Sequence, residues 1–374
     1  MLLPGIAEWA GVIMAGTNEI QRDVGALMGI LVNVLAFIMN FIMNVVSSLT
    51  VGNSLGITII FTTLLIRLLM LPQAIQAQRS SAKMREIAPE AAKIKKKYGD
   101  SKDPEIMRKV NAETQELYRK NKINPLSGCL PLLITMPIFI AFIDLMRRLF
   151  LYLDVLRDLY TGICEKLIGI PGMIVERVIV DNEVAEYGSA LYEIALRKAQ
   201  ASPNFVNDFI SKYGDVNINR PDHLLRFLDT FSASEWEQIK AQVTDPAVLR
   251  DLNALLQQRE SIQTFLGLNL VNAAGLGWPG IMIPIFSGAT SFLLSFITTK
   301  TAPMTDQSAK MNQMVMMIAM PAMMFFFTIN ISGGVGVYWI AGNLIAIAQQ
   351  MLLAKFLFKK RDGGDIPGRI KEKK

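Results

Sequence analysis

The sequence has few of the residues from which catalytic and metal-binding sites are commonly built. Its 374 residues include two cysteines, Cys129 and Cys164, and a single histidine, His223. Two cysteines provide neither a disulfide framework nor a zinc site, and one histidine excludes histidine-rich metal centres and disfavours a catalytic triad. No nucleotide-binding loop or nucleophile motif is present. We therefore expect a protein that is not an enzyme and that requires no cofactor.

Charged residues are also scarce, and long apolar runs take their place. The composition is 51% hydrophobic and 19% charged, which is less charge than a soluble protein of this length usually carries. The hydrophobic residues are concentrated in blocks, and several blocks approach the roughly 20 residues that a membrane-spanning helix requires. The sequence therefore predicts an all-α polytopic membrane protein.

Five of these blocks are predicted to span the membrane. They cover residues 55–72, 130–146, 278–298, 311–331 and 334–354. An earlier apolar stretch, 24–49, carries three asparagines on one helical face: Asn33, Asn40 and Asn44. Such a polar stripe is typical of either an interfacial helix or a polar-striped span, and the pattern alone does not separate the two.

The charges outside the spans divide the chain into basic and acidic regions. Residues 73–123 carry 13 Lys/Arg against 7 Asp/Glu, and residues 355–374 carry 8 against 3. Residues 154–260 are acidic, with 11 Lys/Arg against 17 Asp/Glu. Because basic flanks of spans stay in the cytoplasm, the two basic regions are predicted inside and the acidic region outside. The N-terminus is then expected outside and the C-terminus in the cytoplasm.

Five segments follow from these spans and charges. In chain order they are an N-terminal segment (1–54), the first two spans with a cytoplasmic hairpin at 73–123 (55–150), an extracytoplasmic insert (151–273), the last three spans (274–355) and a basic tail (356–374). The composition of the hairpin and the helix-start signals of the insert predict that both are mainly helical.

Helix-start signals support that prediction in both regions. In the hairpin, Asp103 is a candidate N-cap for the second of two helices, predicted at 74–98 and 104–121. In the insert, Ser234 and Glu237 have the spacing of a capping box, in which each side chain bonds to the other residue's backbone N–H.

Arg67 is the only charge in the largely apolar run 57–71. A charge in hydrocarbon is costly and must face something polar, so this residue is a candidate functional site. Since Arg67 lies only four residues from Leu71, its side chain could instead extend to the membrane interface without any function. Thr63 lies one turn earlier on the same face. That spacing favours a polar-faced helix. The functional interpretation of Arg67 is a positive charge in a water-filled groove that attracts acidic or polar parts of a client.

Two further sets of residues are candidates for lining such a groove. The span 311–331 is rich in methionine and includes Met316 and Met320. This composition indicates either ordinary packing or an adaptable surface for varied apolar clients. Three residues share one face of the last span: Trp339, Asn343 and Gln350. That face could hold a structural hydrogen-bond network or line the groove.

The predicted hairpin contains a compact lysine cluster. Its members are Lys93, Lys95, Lys96 and Lys97. We interpret the cluster as a recruiting surface for anionic lipid headgroups, with contact to ribosomal RNA as the more specific alternative.

Several blocks of the sequence form a recognisable set. They are residues 57–60, 67–72, 81–84, 118–120, 124–132, 136–141 and 338–350. The most specific is Asn124-Pro125-Leu126-x-Gly128-Cys129-Leu130-Pro131-Leu132. Together these blocks strongly resemble the YidC/Oxa/Alb membrane insertases. The lack of a long domain before the first core span is similar to Gram-positive bacterial members.

The resemblance implies a five-span insertase core with an interfacial N-terminal helix and a cytoplasmic helical hairpin. It also implies a hydrophilic groove, open to the cytoplasm and to lipid, with the family's essential arginine falling on Arg67. Client segments would leave this groove laterally into a bacterial plasma membrane. The implied partners are nascent membrane-protein clients and anionic lipids, with the ribosome and the Sec translocon as further candidates, and no DNA. The insert 151–273 is longer than the family's usual outside loop.

Two other functions stay open at this point. A secondary transporter would use Arg67 together with Asp144, although no internal repeat supports it. A structural membrane scaffold would use the insert to bind an outside partner, and it predicts that Arg67 can be neutralised without effect.

Overall fold

The computed structural model describes most of the chain between residues 26 and 359. The described residues are 26–50, 52–99, 103–121, 130–168, 170, 173, 177–180, 183–186, 190–201, 227–301 and 307–359. The predictions for the first 25 residues, for the motif between 124 and 129 and for the tail from 360 onward lie outside them.

Helices form most of the described structure. They are α1 (Ala26–Leu49), α2 (Ser54–Leu69), α3 (Leu71–Tyr98), α4 (Pro104–Lys120), α5 (Leu130–Arg147), α6 (Leu149–Tyr152), α7 (Asp154–Ile168), α8 (Ala190–Ala201), α9 (Ala233–Ala241), α10 (Pro246–Gln263), α11 (Met282–Thr301), α12 (Gln307–Ile329) and α13 (Gly333–Lys359). The mainly helical prediction therefore fits the described chain.

Two short antiparallel hairpins are exceptions within the predicted insert. Strand β1 (Arg177–Val180) pairs with β2 (Glu183–Glu186), and β3 (Thr264–Phe265) pairs with β4 (Leu268–Asn269). In the second hairpin Thr264 faces Asn269 and Phe265 faces Leu268, so only two residues form the turn. The sequence pattern predicted neither of these two β-hairpins.

The predicted basic hairpin is present as α3 and α4. Asp103 caps α4, because its Oδ1 accepts a hydrogen bond from Glu105 N at 2.9 Å. The axis bends by 55° between α2 and the first half of α3. Pro72 explains this bend, since it has no N–H with which to continue the hydrogen-bond ladder of α2 into α3.

The chain divides into two compact units, each made of two segments. The first unit lies within residues 1–58 and 138–271, and the second lies within 59–137 and 272–374.

In the first unit, α1 packs against α6 and α7. Asn40 joins them, because its Nδ2 donates to Tyr152 O at 2.6 Å and its Oδ1 accepts from Asp154 N at 2.9 Å. The other two asparagines of the predicted stripe, Asn33 and Asn44, are exposed. The stripe therefore contributes one residue to packing and two to the surface.

The helices of the insert share a core with α7. The buried hydroxyl of Tyr160 donates to Asp229 Oδ1 at 3.1 Å, and burial raises the pKa of this tyrosine. The guanidinium of Arg259 lies 5.0 Å from the ring centroid of buried Trp236. These contacts join α7 to the segment that precedes α9, and α10 to α9.

The predicted capping box is wrong by two residues. Ser232, not Ser234, is the N-cap of α9, and its partner is Glu235. Glu235 accepts from Ser232 N at 2.7 Å, while Glu235 N donates to Ser232 Oγ at 3.4 Å. Glu237, the predicted partner, forms an ion pair with Lys240 instead.

In the second unit, α11 packs against both α12 and α13. Gly336 permits the close approach of α11 and α13, because a side chain at this position would overlap Ile283. The chain entering α11 pairs with the turn between α12 and α13, where Gly333 N donates to Asn272 O at 2.8 Å. This pairing joins the ends of three helices.

Three described helices are long and apolar enough to cross a membrane. They contain the segments Met28–Leu49, Met282–Thr299 and Gly333–Leu353. The bent pair α2 and α3 forms a fourth if it is counted as one span, and Met317–Ile329 is a shorter apolar helix. The chain is therefore a helical membrane protein, while the five-span core stays a prediction. Residues 28–49 meet the requirement for a span, so both interpretations of α1 stay open.

Candidate functional site

Arg67 lies in the last turn of α2 and is half-buried within the second unit. Its guanidinium is next to α13, where a Cβ added to Gly342 would lie 3.2 Å from Arg67 Nη2. Among the residues that the structure describes, no carboxylate forms an ion pair with it. Arg67 is therefore a cation in an apolar helix without a neutralising partner in the described chain.

One face of α13 lies against this arginine. Gln349 Nε2 donates to Arg67 O at 3.2 Å, which provides a partner for a carbonyl in the last turn of α2. Tyr338 is buried one turn before Gly342 on the same helix. Gly342 lies between Tyr338 and Gln349 in sequence and leaves the space that the guanidinium occupies. The spacing from 338 to 342 to 349 is that of one helical face.

The adjacent face of α13 contacts α11 instead. Trp339 Nε1 donates to Ser291 Oγ at 2.8 Å. The side-chain amide of buried Asn343 lies 3.0 Å from Ser291 Oγ and 3.2 Å from Thr290 Oγ1. Because the donors around it include Trp339 Nε1 and Ser291 N, the amide oxygen faces them. Two helical turns after Asn343, Gln350 Nε2 donates to the Thr298 hydroxyl of α11 at 3.1 Å.

The three residues predicted to share a face therefore form a polar ladder between α13 and α11. This arrangement gives Asn343 a structural hydrogen-bond role, which was one of its two predicted alternatives. The residues that lie against Arg67, Gly342 and Gln349, were not among the predicted site residues. Gly342 and Gln349 are seven residues apart and share a helical face. Because glycine has no polar side chain, the sequence offers no sign that Gly342 lies against an arginine.

Thr63 is buried one turn before Arg67, and its Cγ2 is 3.8 Å from the position of a Cβ at Gly342. Its hydroxyl donates to Ile59 O at 2.6 Å, so its hydrogen bond is made within α2. Thr62 is also buried, and its hydroxyl has no hydrogen-bond partner in the described structure. This segment of α2 thus carries two polar side chains that are shielded from bulk water.

The methionine-rich helix α12 presents a mixed surface. Met320 is half-buried, Met323 is exposed and Met324 is buried. The side chain of Met316 lies outside the described part of the chain. Exposed Phe326 lies on the same helix and packs edge-to-face against Phe325, with ring centroids 5.3 Å apart. The helix therefore offers sulfur and aromatic groups on its outer surface.

The lysine cluster of the basic hairpin is exposed where the structure describes it. Lys93, Lys96 and Lys97 are exposed, and the side chain of Lys95 lies outside the description. Lys97 Nζ forms an ion pair with Glu113 at 2.9 Å. The Tyr98 hydroxyl and the Lys97 ammonium hold the pKa of the Glu113 carboxyl below its usual value. Glu113 in turn raises the pKa of Lys97, so one of the lysines is already paired within the hairpin.

Asp144 contacts two residues that follow it closely in the sequence, Arg148 and Tyr152. Its carboxylate lies 2.8 Å from Arg148 Nη2, and both side chains are largely buried. The Tyr152 hydroxyl donates to the same carboxylate at 3.4 Å. Asp144 is therefore a locally satisfied ion pair in the first unit.

Span-length apolar helices define a helical membrane protein, and within the described residues Arg67 lies beside α13 without a carboxylate partner. The sequence profile of the family described as 60Kd inner membrane protein matches residues 21–168 and 244–361, which is more than half of the chain. The chain belongs to this family. Residues 169–243 lie between the two matched segments, within the predicted insert.

Individual relatives align over a shorter region. A membrane protein insertase YidC from Oceanobacillus iheyensis is 46% identical over 92 residues, which are 25% of this chain and 36% of the relative. A YidC from Clostridium perfringens is 53% identical over 85 residues, 23% of this chain and 34% of the relative. The insertase MisCA from Bacillus subtilis is 47% identical over 92 residues, 25% and 35% of the two chains. The chain thus spans about a third of the length of these relatives.

Proposed function

We propose that this chain is a bacterial membrane protein insertase and chaperone that receives client segments beside Arg67 and releases them into the bilayer. Two observations support the proposal. The chain belongs to a family whose aligned relatives are named membrane protein insertases. Arg67 is a half-buried cation with no carboxylate partner among the described residues. This observation carries the proposed mechanism. The activity is one of binding and release, not of bond chemistry.

The physical problem for an insertase is the polar flank of its client. Transfer of a polar group into hydrocarbon costs roughly 2–7 kcal/mol when no hydrogen bond replaces water. A wet, positively charged groove beside Arg67 reduces this barrier by attracting acidic and polar groups of the client. The apolar client segment then leaves sideways, because burial in lipid stabilises it by about 25 cal/mol per Å² of apolar surface. This cycle needs no ATP and no ion gradient, although the membrane potential can assist it.

The remaining surfaces have roles in the same proposal. The exposed sulfur and aromatic groups of α12 receive apolar client segments. The basic hairpin recruits anionic lipid, arriving clients or ribosomes through its lysine cluster. The proposed topology has five core spans, the N-terminus and the insert outside, and the hairpin and the C-terminus in the cytoplasm. The Sec translocon is a candidate partner.

The decisive experiment is complementation of an insertase-depleted bacterium, combined with insertion into vesicles. Arg67→Ala should reduce the insertion of clients with acidic translocated segments on the order of tenfold or more, because a charge-assisted contact is worth about 1.5–3 kcal/mol. Arg67→Lys is the matched variant, and it should retain much of the activity, since the groove requires a positive charge more than a guanidinium. A client without acidic residues in its translocated flank serves as the control and should be affected less.

Full insertion of both clients by Arg67→Ala would contradict the proposal and favour the scaffold, which predicts that Arg67 can be neutralised harmlessly. The transporter would require Asp144 to be available to an ion or substrate. Its close pair with Arg148 leaves that carboxylate occupied, so no observation favours the transporter.

A further inference from the structure

Leu266 has a left-handed backbone conformation, which is unfavourable for a leucine. It is the first of the two turn residues between β3 and β4, and its φ is +51°. Gly267, the second, has φ +78°. A turn of this shape favours asparagine or glycine, because a branched side chain in the left-handed region costs roughly 1–2 kcal/mol. Leu266 is nevertheless 77% exposed, so no burial within the described fold offsets this cost.

The hairpin that carries Leu266 is held firmly at the start of α2. Asn53, itself at φ +60°, accepts a hydrogen bond from Leu266 N through its Oδ1 at 2.9 Å. Asn53 N donates to Ser261 O at 3.0 Å. Phe265 packs over Gly56, where any side chain would overlap its ring. The tip therefore has a defined place next to the turn that joins α1 to α2, within the first unit.

That place is the end of an exposed apolar stripe on α1. Ile30, Phe37, Phe41, Val45 and Leu49 lie on the stripe and are 61%, 75%, 67%, 47% and 81% exposed. Spacings of seven and four residues put such positions on one helical face. Leu49 precedes Asn53 by four residues, so the stripe ends beside the turn to which Leu266 is bonded. A helix face of this kind, on a segment long and apolar enough to span a membrane, is a lipid-contacting face.

We propose that the β3–β4 tip is a lipid anchor, in which Leu266 inserts into the interfacial region of the bilayer next to α1 and α2. The apolar stripe ends four residues before Asn53, the residue to which Leu266 N is hydrogen-bonded, and both the stripe and Leu266 are exposed. Hydrocarbon is the environment that exposed apolar groups of this kind require. Burial of a leucine side chain stabilises by about 1.5–3 kcal/mol, which is enough to offset the backbone strain at the tip. The anchor fixes the helical insert against the membrane at the level where α2 begins. It does not depend on insertase activity.

The test places an environment-sensitive fluorophore at Leu266→Cys in the full chain, reconstituted in phosphatidylglycerol–phosphatidylethanolamine vesicles. Cys129→Ser removes one competing thiol. Cys164 can stay, because it is buried and burial raises the pKa of its thiol, so little reactive thiolate is present. The matched control is Asn253→Cys, an exposed position on α10 of the same insert.

The probe at 266 should be quenched strongly by lipids that carry a nitroxide high on the acyl chain, and weakly by aqueous iodide. The control at 253 should show the reverse. Iodide quenching at 266 equal to that at 253 would show that the tip lies in water and would overturn the proposal. Protection from both quenchers would show that protein covers the tip, and would overturn it equally.

A second variant separates lipid contact from folding. Leu266→Asn suits the left-handed backbone, so it should not lower the thermal midpoint of the protein. In lipid nanodiscs it should nevertheless increase hydrogen exchange of the amides between 264 and 270 several-fold, because the anchor is lost. Unchanged exchange would contradict the anchor, and a lowered midpoint would show that Leu266 is a folding residue instead.

Discussion

Lys198 in the insert and Arg67 in α2 are both cations in protected positions, but their surroundings are opposite. Lys198 Nζ lies 2.8 Å from Glu235 Oε1, and the two side chains are only 18% and 16% exposed. The same ammonium donates to Thr230 O at 3.0 Å and lies 5.9 Å from the ring centroid of Phe231. Arg67 has Gly342 next to it and no carboxylate partner among the described residues. One cation is paired within the fold, and the other has no carboxylate partner in the described part of the chain.

This difference is the basis of the structural role that we infer for Lys198 and of the functional role that we propose for Arg67. A protected charge that is paired and hydrogen-bonded stabilises a fold only modestly, and its removal is costly mainly because its partner is left unpaired. A protected charge with no partner gives the fold no such benefit, and its retention in an apolar helix calls for a ligand. Charge substitutions in the insert are therefore expected to change the stability of the protein. A charge substitution at Arg67 is expected to change its activity.

Lys198→Met should produce the largest effect on stability. It leaves the largely buried Glu235 carboxylate without its ammonium partner, at an expected loss of about 1.5–3 kcal/mol. The measurement is hydrogen exchange of the α9 and α10 amides in the full chain. Lys240→Met is the matched control, because it removes an ion pair with Glu237, which is 70% exposed, and should cost about 0–1 kcal/mol. Equal effects of the two substitutions would contradict the comparison.

Gly342→Ala should reduce insertion several-fold while it leaves the fold intact. The added Cβ would lie 3.2 Å from Arg67 Nη2, so the guanidinium must shift by a few tenths of an ångström. Gly162→Ala is the control, since its Cβ would meet Leu255 at an ordinary 3.7 Å. Insertion and thermal midpoint are measured together.

A double substitution shows whether Gly342 acts through Arg67. In an Arg67→Lys background the Nη2 atom is absent, so Gly342→Ala should cause little further loss of insertion. If the two losses of free energy are simply additive, Gly342 serves helix packing only and does not position the guanidinium.

Acidification should weaken the insert before it affects the Arg67 region. Burial by itself raises the pKa of the Glu235 carboxyl, but contacts with Lys198 and Ser232 outweigh burial and leave the pKa below its usual value. Because the folded-state pKa is depressed, this stabilisation is present above the unfolded pKa of about 4.3 and is lost as the pH falls through the folded value.

The expected result is a fall in the thermal midpoint below roughly pH 4, the range that the depressed carboxyl pKa implies. The effect should be smaller than that of Lys198→Met, since a protonated carboxyl can still accept hydrogen bonds. Glu235→Gln should flatten this part of the pH profile. A profile identical to that of the unsubstituted chain would show that other carboxyls cause the loss.

The smallest effect is expected from the exposed lysines of the basic hairpin. Replacement of Lys93, Lys95, Lys96 and Lys97 by Gln should weaken vesicle and ribosome co-sedimentation at low salt, with little difference at moderate salt, because exposed charges are screened. Thermal stability should not change. If co-sedimentation and its salt dependence are both unaffected, the cluster is only a topology signal.

Local patterns predicted much of this architecture, and their failures have identifiable causes. Asp103 was predicted as the N-cap of α4 and is one, because a cap depends on neighbouring residues alone. The capping box of α9 was misplaced because Ser232 and Ser234 each have a glutamate three residues later. The tertiary contact between Lys198 and Glu235 coincides with the box that forms.

The sequence by itself determined the helical membrane class, the basic hairpin and the prominence of Arg67, because hydropathy, charge and helical spacing are properties of neighbouring residues. Tertiary structure decided which neighbour each face of α13 meets. Trp339, Asn343 and Gln350 face α11, while Gly342 and Gln349, one residue before Asn343 and Gln350, face Arg67. A one-residue step turns a helix by about 100°, so two interleaved polar sets serve different partners, and only the packing of the helices assigns them.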